Sequence, residues 1–134
     1  MREIIKNLFQ GDKTAAITAS QGAFVDYIVY LGQELPHELA FESKIPVVHI
    51  PLKDGLGSID AWRLACDIID KCLQKKVLVA CRAGISRSPM MIVCYLLKKQ
   101  RKPNFNKVFK YVSNLIPEIH PEPNMFSMIK DWAT

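Results

Sequence analysis

Residues 77–89 have the sequence Val-Leu-Val-Ala-Cys-Arg-Ala-Gly-Ile-Ser-Arg-Ser-Pro, and the fold is inferred outward from this stretch. Its first four residues form an apolar, partly β-branched run that is typical of a buried strand. From Pro89 to Leu97 the chain is apolar again and predicts the start of a buried helix, in whose first turn Pro89 is tolerated. A strand, a short loop and a buried helix are therefore expected to follow one another directly.

The loop between this strand and helix carries groups suited to binding an anion. The first N–H groups of a helix have no partner within it, and the helix dipole favours negative charge at that end. Gly84 gives the backbone the freedom to turn amides inward, and Arg87 can hold two oxygens of a phosphate. We expect a thiol at Cys81 to ionise readily beside such dipoles. The stretch predicts a phosphate cradle with a nucleophile at its base.

This loop resembles the signature of cysteine-dependent phosphatases: five residues separate Cys81 from Arg87, and Ser88 follows. The wording of residues 81–89 is similar to that of compact dual-specificity phosphatases, within the protein tyrosine phosphatase family. Residues 8–12 resemble the family's opening strand, and Pro123-Asn124 with Phe126 resembles its C-terminal segment. Ala80 departs from the pattern, because the family usually has His there. From that departure we expect a thiolate that forms at higher pH and a modest loss of rate.

The resemblance implies a role for each matching position. Cys81 is the expected nucleophile, Arg87 the phosphate clamp, and Ser88 the group that stabilises the departing thiolate. Asp54 lies in a glycine-flanked loop 27 positions before Cys81 and is the candidate general acid, although Asp before Gly is also common in turns. Asp60 is its rival, but helix capping accounts for that residue. The expected phosphate-binding residues are Arg82, Ala83, Gly84, Ile85, Ser86 and Arg87.

These positions together predict a metal-independent phosphomonoester hydrolase that forms a cysteinyl-phosphate. The resemblance implies phosphotyrosine, and also phosphoserine or phosphothreonine, in protein substrates. No cofactor is expected, since His37, His49 and His120 lack the spacing of metal ligands. Two alternatives stay open: an RNA 5′-phosphatase, and a phospho-binding module with little catalysis. Phosphoinositide phosphatases, low-molecular-weight phosphatases and rhodanese-like phosphatases fit the loop and its position less well.

The charge of the chain is unevenly distributed. The net charge of +5 combines six Lys or Arg and ten Asp or Glu in residues 1–70 with twelve and three in residues 71–134. Much of the excess lies in residues 98–102, at the end of a predicted helix, where cations suit the helix dipole. A patch that attracts acidic phospho-substrates or nucleic acid is the alternative, which we favour less because no aromatic residue interleaves with the run.

The remaining patterns predict one α/β domain over residues 1–134, with a mixed, mainly parallel sheet of four or five strands flanked on both faces by helices. Ligands bind such sheets at the carboxyl ends of the strands, where Cys81 and Asp54 should meet. Residues 32–43 are expected to form a loop. The predicted strands are 4–10, 24–31, 45–52 and 77–80, and the predicted helices are 14–19, 59–74, 88–100, a stripe from 105 to 115, and a last segment over 125–132.

The remaining cysteines, Cys66, Cys72 and Cys94, follow helical apolar patterns and are interpreted as buried free thiols. One of them could instead be a resolving thiol for Cys81. A catalytic thiolate needs a reducing compartment, and the N-terminus lacks the apolar core of a signal peptide. We therefore expect a cytoplasmic monomer that acts on phosphorylated protein and does not bind membranes.

Overall fold

The protein forms a three-layer α/β structure, seen in a computed structural model that describes residues 1–22, 24–53 and 58–133. The strands are β1 (Arg2–Ile5), β2 (Leu8–Gly11), β3 (Tyr27–Tyr30), β4 (Val47–His49) and β5 (Val77–Ala80). The helices are α1 (Lys13–Gln21), α2 (His37–Phe41), α3 (Ile59–Cys72), α4 (Arg87–Lys99), α5 (Phe105–Leu115) and α6 (Pro123–Ala133).

The sheet has the strand order β1-β2-β5-β3-β4, and β5 lies at its centre. Strand β5 runs parallel to both of its neighbours, and Ala80 lies in register with Gly11 on one side and Tyr30 on the other. Only β1 is antiparallel, as the outer half of a hairpin with β2. The predicted mainly parallel sheet of four or five strands is confirmed.

Two apolar cores lie on opposite faces of the sheet. On one face Ala16, Ala19 and Leu39 of α1 and α2 pack against Leu78 and Ala80. On the other face the sheet packs against α3 to α6, and α4 is buried over most of its length. Because β5 is covered on both faces, its side chains are all buried, which is why it appears in the sequence as an unbroken apolar run.

Several predicted elements match the structure closely. The strand at 77–80 has the predicted bounds, and the helix predicted over 105–115 is α5. The hydroxyl of Ser58 accepts a hydrogen bond from the N–H of Asp60 at 3.1 Å and caps α3, as predicted. Helix caps are local interactions between neighbouring residues, and this is why the sequence indicates them well.

Other predictions were wrong in detail. Residues 4–10 do not form one strand, since a tight turn at Lys6-Asn7 divides the segment, with Asn7 at a φ of +73° that asparagine tolerates. The segment 32–43, predicted as loop, contains the short helix α2. The strands predicted over 24–31 and 45–52 are shorter, Tyr27–Tyr30 and Val47–His49. The first begins after Asp26, whose carboxylate accepts a hydrogen bond from the N–H of Lys76 at 2.9 Å.

The basic end of α4 is joined to α3 by ion pairs. Lys98 pairs with Asp67, and the Lys99 ammonium lies 2.9 Å from the Asp70 carboxylate, which also accepts a hydrogen bond from Tyr95 at 2.9 Å. Hydrogen bonds from Lys99 and Tyr95 hold the pKa of Asp70 below its ordinary value. Two of the clustered cations therefore have acidic partners, which supports the interpretation of this run as a solvated helix end.

All four cysteines are free thiols. Cys66 and Cys94 are buried between α3 and α4. The pKa of the Cys94 thiol is raised mainly by a hydrogen bond with Cys66 and, to a smaller extent, by burial. Cys72 is half-buried rather than buried. Among the described residues, no helix is long and apolar enough to cross a membrane.

Replacing Trp62 tests the larger core. This side chain is 2% exposed in α3, so Trp62→Ala should lower the free energy of unfolding by about 3–5 kcal/mol. Leu64→Ala is the matched control in the same helix, because Leu64 is 55% exposed, and it should change the value by no more than about 0.5 kcal/mol. Urea unfolding followed by circular dichroism measures both, and equal losses would contradict this packing.

Candidate active site

Strand β5 ends at Ala80 and places Cys81 at the carboxyl edge of the sheet. Cys81 is 2% exposed, and its sulfur accepts a hydrogen bond from the N–H of Ser88 at 3.3 Å. Ser88 lies in the first turn of α4, so the sulfur faces the N-terminal end of that helix. The dipole of the helix and its unpaired N–H groups favour negative charge at this place.

The loop from Arg82 to Arg87 is held by bonds to its outward-facing carbonyl groups. The carbonyl of Arg82 accepts from the N–H of Lys13 at 3.1 Å, and that of Ile85 accepts from the N–H of His120 at 2.7 Å. The carbonyl of Gly84 accepts from the side-chain amide of Gln10 at 2.8 Å. The peptide groups that follow Arg82, Gly84 and Ile85 are trans and are fixed from outside by their carbonyl oxygens, so the N–H of each faces the opposite, inner side. This is the arrangement that binds phosphate oxygens.

Gly84 is required by the shape of this loop. Its φ is +73°, and a Cβ added there would lie 3.0 Å from the Cβ of Asp12 and 3.1 Å from its backbone nitrogen. Asp12 cannot withdraw, because its carboxylate caps α1 by accepting from the N–H of Ala15 at 2.8 Å. Conformation and space both exclude a larger residue at position 84.

Arg87 is held at the junction between the loop and the end of the β4 segment. Its Nη1 donates a hydrogen bond to the carbonyl of Leu52 at 2.9 Å. Leu52 is itself fixed by a bond from its N–H to the carbonyl of Leu31 at 3.0 Å. The guanidinium is thus partly oriented by the protein, with other N–H groups left to bind oxygens of a ligand.

The acid candidate Asp54 lies outside the described residues, as do residues 55–57. Its chain neighbours are fixed up to Leu52, which contacts Arg87. The rival Asp60 has an 84% exposed side chain, which lies 3.9 Å from Arg63 on the same helix. Asp60 therefore has the surroundings of a surface residue in the first turn of α3.

Ser88 belongs to a buried hydrogen-bond network around the thiol. The side chain of Ser88 is fully buried, and its Oγ lies 3.3 Å from the Cys81 sulfur and 3.3 Å from the carbonyl oxygen of Gly11. The same Oγ accepts a hydrogen bond from the side-chain amide of Gln10 at 2.8 Å. The structure thus brings together Cys81, Arg87 and Ser88, the three positions expected to act on phosphate.

Two cavities open on either side of Arg87. One, of about 310 Å³, is lined by Cys81 together with Ile85, His120 and Glu122. The other, of about 460 Å³, is lined by Arg82, Tyr30, Lys13 and residues 32–38. A bound phosphate at Cys81 would therefore have room for the rest of a peptide substrate on both sides.

Tyr30 lies beside the thiol on the face of the sheet that carries Ala80. Burial, and then the nearby Cys81, raise the pKa of the Tyr30 phenol. Gly32 leaves the space that the ring occupies, since a Cβ there would lie 2.6 Å from a ring carbon. The small side chain of Ala80 is fully buried in this apolar cluster, next to Tyr30 in register.

Three site residues were not singled out from the sequence as functional: Gln10, Tyr30 and His120. Gln10 could have been identified from the sequence, because an amide side chain within an apolar strand is expected to be buried and to need hydrogen-bond partners. His120 was interpreted as a loop residue, and it is one, but its position beside Cys81 depends on a contact with Ile85 far along the chain. Contacts of that kind leave no local pattern.

Comparison with known families decides the identity of this fold and loop. The model of the dual specificity phosphatase catalytic domain matches residues 8–134. The chain belongs to the dual-specificity phosphatase family. The prediction of a compact member of the protein tyrosine phosphatase class is thus confirmed, and the chain carries a protein phosphatase catalytic domain. The role of Ala80 stays a prediction.

Individual relatives cover this dual-specificity phosphatase domain almost completely. The dual specificity protein phosphatase OPG106 of vaccinia virus, strain Copenhagen, is 31% identical over 121 residues, which are 84% of this chain and 67% of the viral protein. The tyrosine-protein phosphatase vhp-1 of Caenorhabditis elegans is 23% identical over 96% of this chain, which spans only 20% of the worm protein's length. Human DUSP28 shares the fold, with a TM-score of 0.83 at 20% identity over 99% of this chain and 95% of that one.

Substitution at Gly84 tests the geometry of the dual-specificity phosphatase loop. Gly84→Ala should weaken binding of inorganic phosphate by about tenfold or more, because the added Cβ meets Asp12 and the backbone must leave a φ of +73°. Gly22→Ala is the matched control, since its φ of −114° suits any residue and the nearest atoms to an added Cβ, at 3.2 Å, belong to the exposed side chain of Phe24. Competitive inhibition of alkylation at Cys81 by phosphate measures the affinity, and unchanged inhibition in the Gly84 variant would contradict the account.

Proposed function

We propose that this protein hydrolyses phosphotyrosine, and also phosphoserine and phosphothreonine, in protein substrates through a cysteinyl-phosphate intermediate. The observation that carries the proposal is the position of the Cys81 sulfur, which faces the N–H of Ser88 at the base of a loop whose carbonyl groups are held outward. Residues 1–134 act in this proposal as one catalytic domain. A cysteine nucleophile requires reduced thiols, so the proposal includes a cytoplasmic location.

The first step transfers the phosphoryl group to the protein. The Cys81 thiolate attacks phosphorus, a P–S bond forms, and the bond between phosphorus and the substrate oxygen breaks. The inner amides of residues 82–87 and the free N–H groups of Arg87 hold the equatorial oxygens, where charge is concentrated in the transition state. Asp54 gives its proton to the departing phenol or alcohol oxygen.

The second step returns the thiol group to its starting state. A water oxygen attacks phosphorus, its proton passes to Asp54, and the P–S bond breaks with its electron pair on sulfur. The resulting thiolate accepts hydrogen bonds from the N–H of Ser88 and from the Ser88 hydroxyl, both 3.3 Å from the sulfur. These two donors lower the energy of the leaving group in the second step.

The contact between Arg87 and Leu52 supports Asp54 as the acid. Leu52 is two residues before Asp54, and its carbonyl is 2.9 Å from the guanidinium that would clamp the phosphate. Asp54 therefore follows, two positions later, a residue that touches the proposed phosphate clamp. Among the described residues Asp60 has no comparable contact with Arg87: its side chain is 84% exposed and lies 3.9 Å from Arg63 of the same helix.

The substrate class is inferred from the family and from the shape of the site. The viral relative is named a dual specificity protein phosphatase, and the cavities beside Arg87 leave room for a peptide. The alternative of an RNA 5′-phosphatase has less support, because Lys98 and Lys99 in the basic run are paired with Asp67 and Asp70. We propose a monomer without a metal or other cofactor.

Replacing the nucleophile and the clamp tests the reaction class. Cys81→Ser should lower phosphate release from phosphotyrosine peptides by about 10³-fold or more, and Arg87→Lys by about 10²-fold, because lysine cannot hold two oxygens in a plane. Phosphoserine peptides, 5′-triphosphorylated RNA and phosphoinositides are assayed in parallel. Faster turnover of RNA than of peptides would overturn the proposed substrate class. Undiminished turnover by Cys81→Ser would overturn the mechanism.

Replacing the acid tests the role of Asp54. Asp54→Asn should lower turnover of phosphoserine peptides by about 10²-fold or more, and that of an aryl phosphate with an acidic phenol far less, since an acidic phenol leaves without a proton. The fall in rate on the alkaline side, where a general acid loses its proton, should disappear. Asp60→Asn is the matched control and should keep the wild-type profile. An unchanged pH–rate profile in the Asp54 variant would remove this assignment.

A further inference from the structure

Gln10 is a buried polar residue in β2 that the proposed reaction has not yet used. Its side chain is only 3% exposed, although it lies in a strand otherwise surrounded by apolar residues. It is in register with Val79, so it extends from the face of the sheet that packs against α4. Ala80 lies on the opposite face, and Gln10 therefore does not occupy the space of the family's histidine.

The amide nitrogen of Gln10 contacts three acceptors at once. Its Nε2 lies 2.8 Å from the carbonyl oxygen of Gly84, 2.8 Å from Ser88 Oγ and 3.4 Å from the carbonyl oxygen of Gly11. Two of these partners are carbonyl groups, which only accept, so the NH₂ end of the amide must face them. Its two hydrogens serve three acceptors: the short contacts go to the phosphate loop and to the hydroxyl beside Cys81, and the longer contact with the Gly11 carbonyl oxygen shares one of these hydrogens.

This arrangement determines what the single hydrogen of the Ser88 hydroxyl can do. Because the Gln10 amide donates to Oγ, the Ser88 hydroxyl hydrogen has two acceptors within the described part of the chain, the Gly11 carbonyl oxygen and the Cys81 sulfur, each 3.3 Å away. When sulfur carries its proton, the S–H donates to Oγ and the hydroxyl donates to Gly11. When sulfur is a thiolate, the hydroxyl rotates toward it, and no heavy atom has to move.

Gln10 also remains as a hydrogen-bond donor to the Gly11 carbonyl oxygen when the Ser88 hydroxyl rotates away from it. The carbonyl oxygen of Gly11 keeps the Gln10 amide at 3.4 Å and the N–H of Cys81 at 3.4 Å. Without Gln10 that buried oxygen would keep only one weak donor, and it would compete with the thiolate for the Ser88 hydroxyl. The network therefore favours donation to sulfur only while the amide is present.

We propose that Gln10 is a positioning residue that acts on the Cys81 thiolate through Ser88, whose hydroxyl it orients toward the sulfur. This inference rests on the proposed function for its role in turnover. The thiolate that it stabilises is both the attacking group of the first step and the leaving group of the second. Gln10 does not touch the phosphate or the substrate.

The test measures the pH dependence of iodoacetate alkylation at Cys81, followed by mass spectrometry of the modified peptide. Gln10→Met keeps the length of the side chain and removes both donors. Its pH midpoint should lie about one unit above that of the wild type, the scale of one hydrogen bond to a charged group. Gln21→Met is the matched control, since it removes a hydrogen bond from a side-chain amide to the Glu42 carbonyl at the C-terminal end of α1.

The other groups around the thiol are unchanged in these variants, so a shift reports on the network. They are Arg82 and Arg87 in the loop, Tyr30 on β3, Asp12 and Lys13 at the start of α1, and His120 and Glu122 before α6. A wild-type midpoint in Gln10→Met, with or without a lower melting temperature, would mean that Gln10 only fills space, and the proposal would fail.

A double variant separates action through Ser88 from an independent effect. Ser88→Ala should raise the midpoint by at least as much as Gln10→Met, and adding the Gln10 change to Ser88→Ala should raise it no further. Additive shifts would show that Gln10 acts on the thiol by another route and would overturn the proposal. In turnover, Gln10→Met should slow breakdown of the cysteinyl-phosphate about tenfold, while the initial burst of phenol from an aryl phosphate stays close to one per enzyme.

A variant that keeps the shape of the amide covers the case in which Gln10→Met does not fold. Gln10→Glu carries a carboxyl group that, when protonated, is close to the amide in shape and still donates one hydrogen bond. Once ionised, that carboxylate repels the thiolate, so the alkylation midpoint should rise further than in Gln10→Met. A midpoint equal to that of the wild type would contradict the proposal.

Alkylation requires no turnover, which keeps this inference distinct from the proposed function. If the wild-type protein released no phosphate from any substrate, the proposed function would fail, and the comparison of alkylation midpoints would still decide the role of Gln10. If the wild-type protein turned over phosphopeptides and Gln10→Met matched it in both assays, only the role of Gln10 would be lost.

Discussion

The structure depends on one constraint: the peptide groups between Cys81 and Arg87 must turn their N–H groups toward a common point. Such a turn leaves carbonyl groups facing the protein, and each buried carbonyl needs a donor. Three different segments supply them, since Lys13, Gln10 and His120 bind the loop from α1, β2 and the chain before α6. Elements far apart in the sequence are thereby fixed around one loop, and the position of Gly84 follows from the same requirement.

The central part of the fold was predictable because its signals are local. The strand at 77–80, the loop after it and the helix that follows are adjacent in the chain. The apolar residues of the strand and the helix indicate directly that both are buried. The β1–β2 hairpin and α2 were not predicted, for two physical reasons. Asparagine can adopt the positive φ found at Asn7, but its presence does not require a turn. Helix α2 has only five residues, which is too few to show a helical repeat of apolar residues in the sequence.

The site was predictable only in part, for a related reason. Cys81, Arg87 and Ser88 are close in sequence and in space, and the structure brings them together as expected. The contacts of Gln10 with Ser88 and of His120 with Ile85 span 78 and 35 positions, and such pairings cannot be inferred without the fold. The structure also shows the surroundings of Ala80, whose small side chain lies in an apolar cluster beside Tyr30 rather than in the network of Ser88.

The central claim is that the Cys81 sulfur carries the phosphoryl group during turnover. Mixing the protein with an aryl phosphate, denaturing it within milliseconds and mapping the digested peptides by mass spectrometry tests this most directly, because the peptide map identifies the residue that carries the phosphoryl group. A phosphorylated peptide that contains Cys81 should form within the first turnover and disappear as the substrate runs out. Phosphate release with no phosphorylated Cys81 peptide at any time, or a phosphoryl group on another residue, would contradict it.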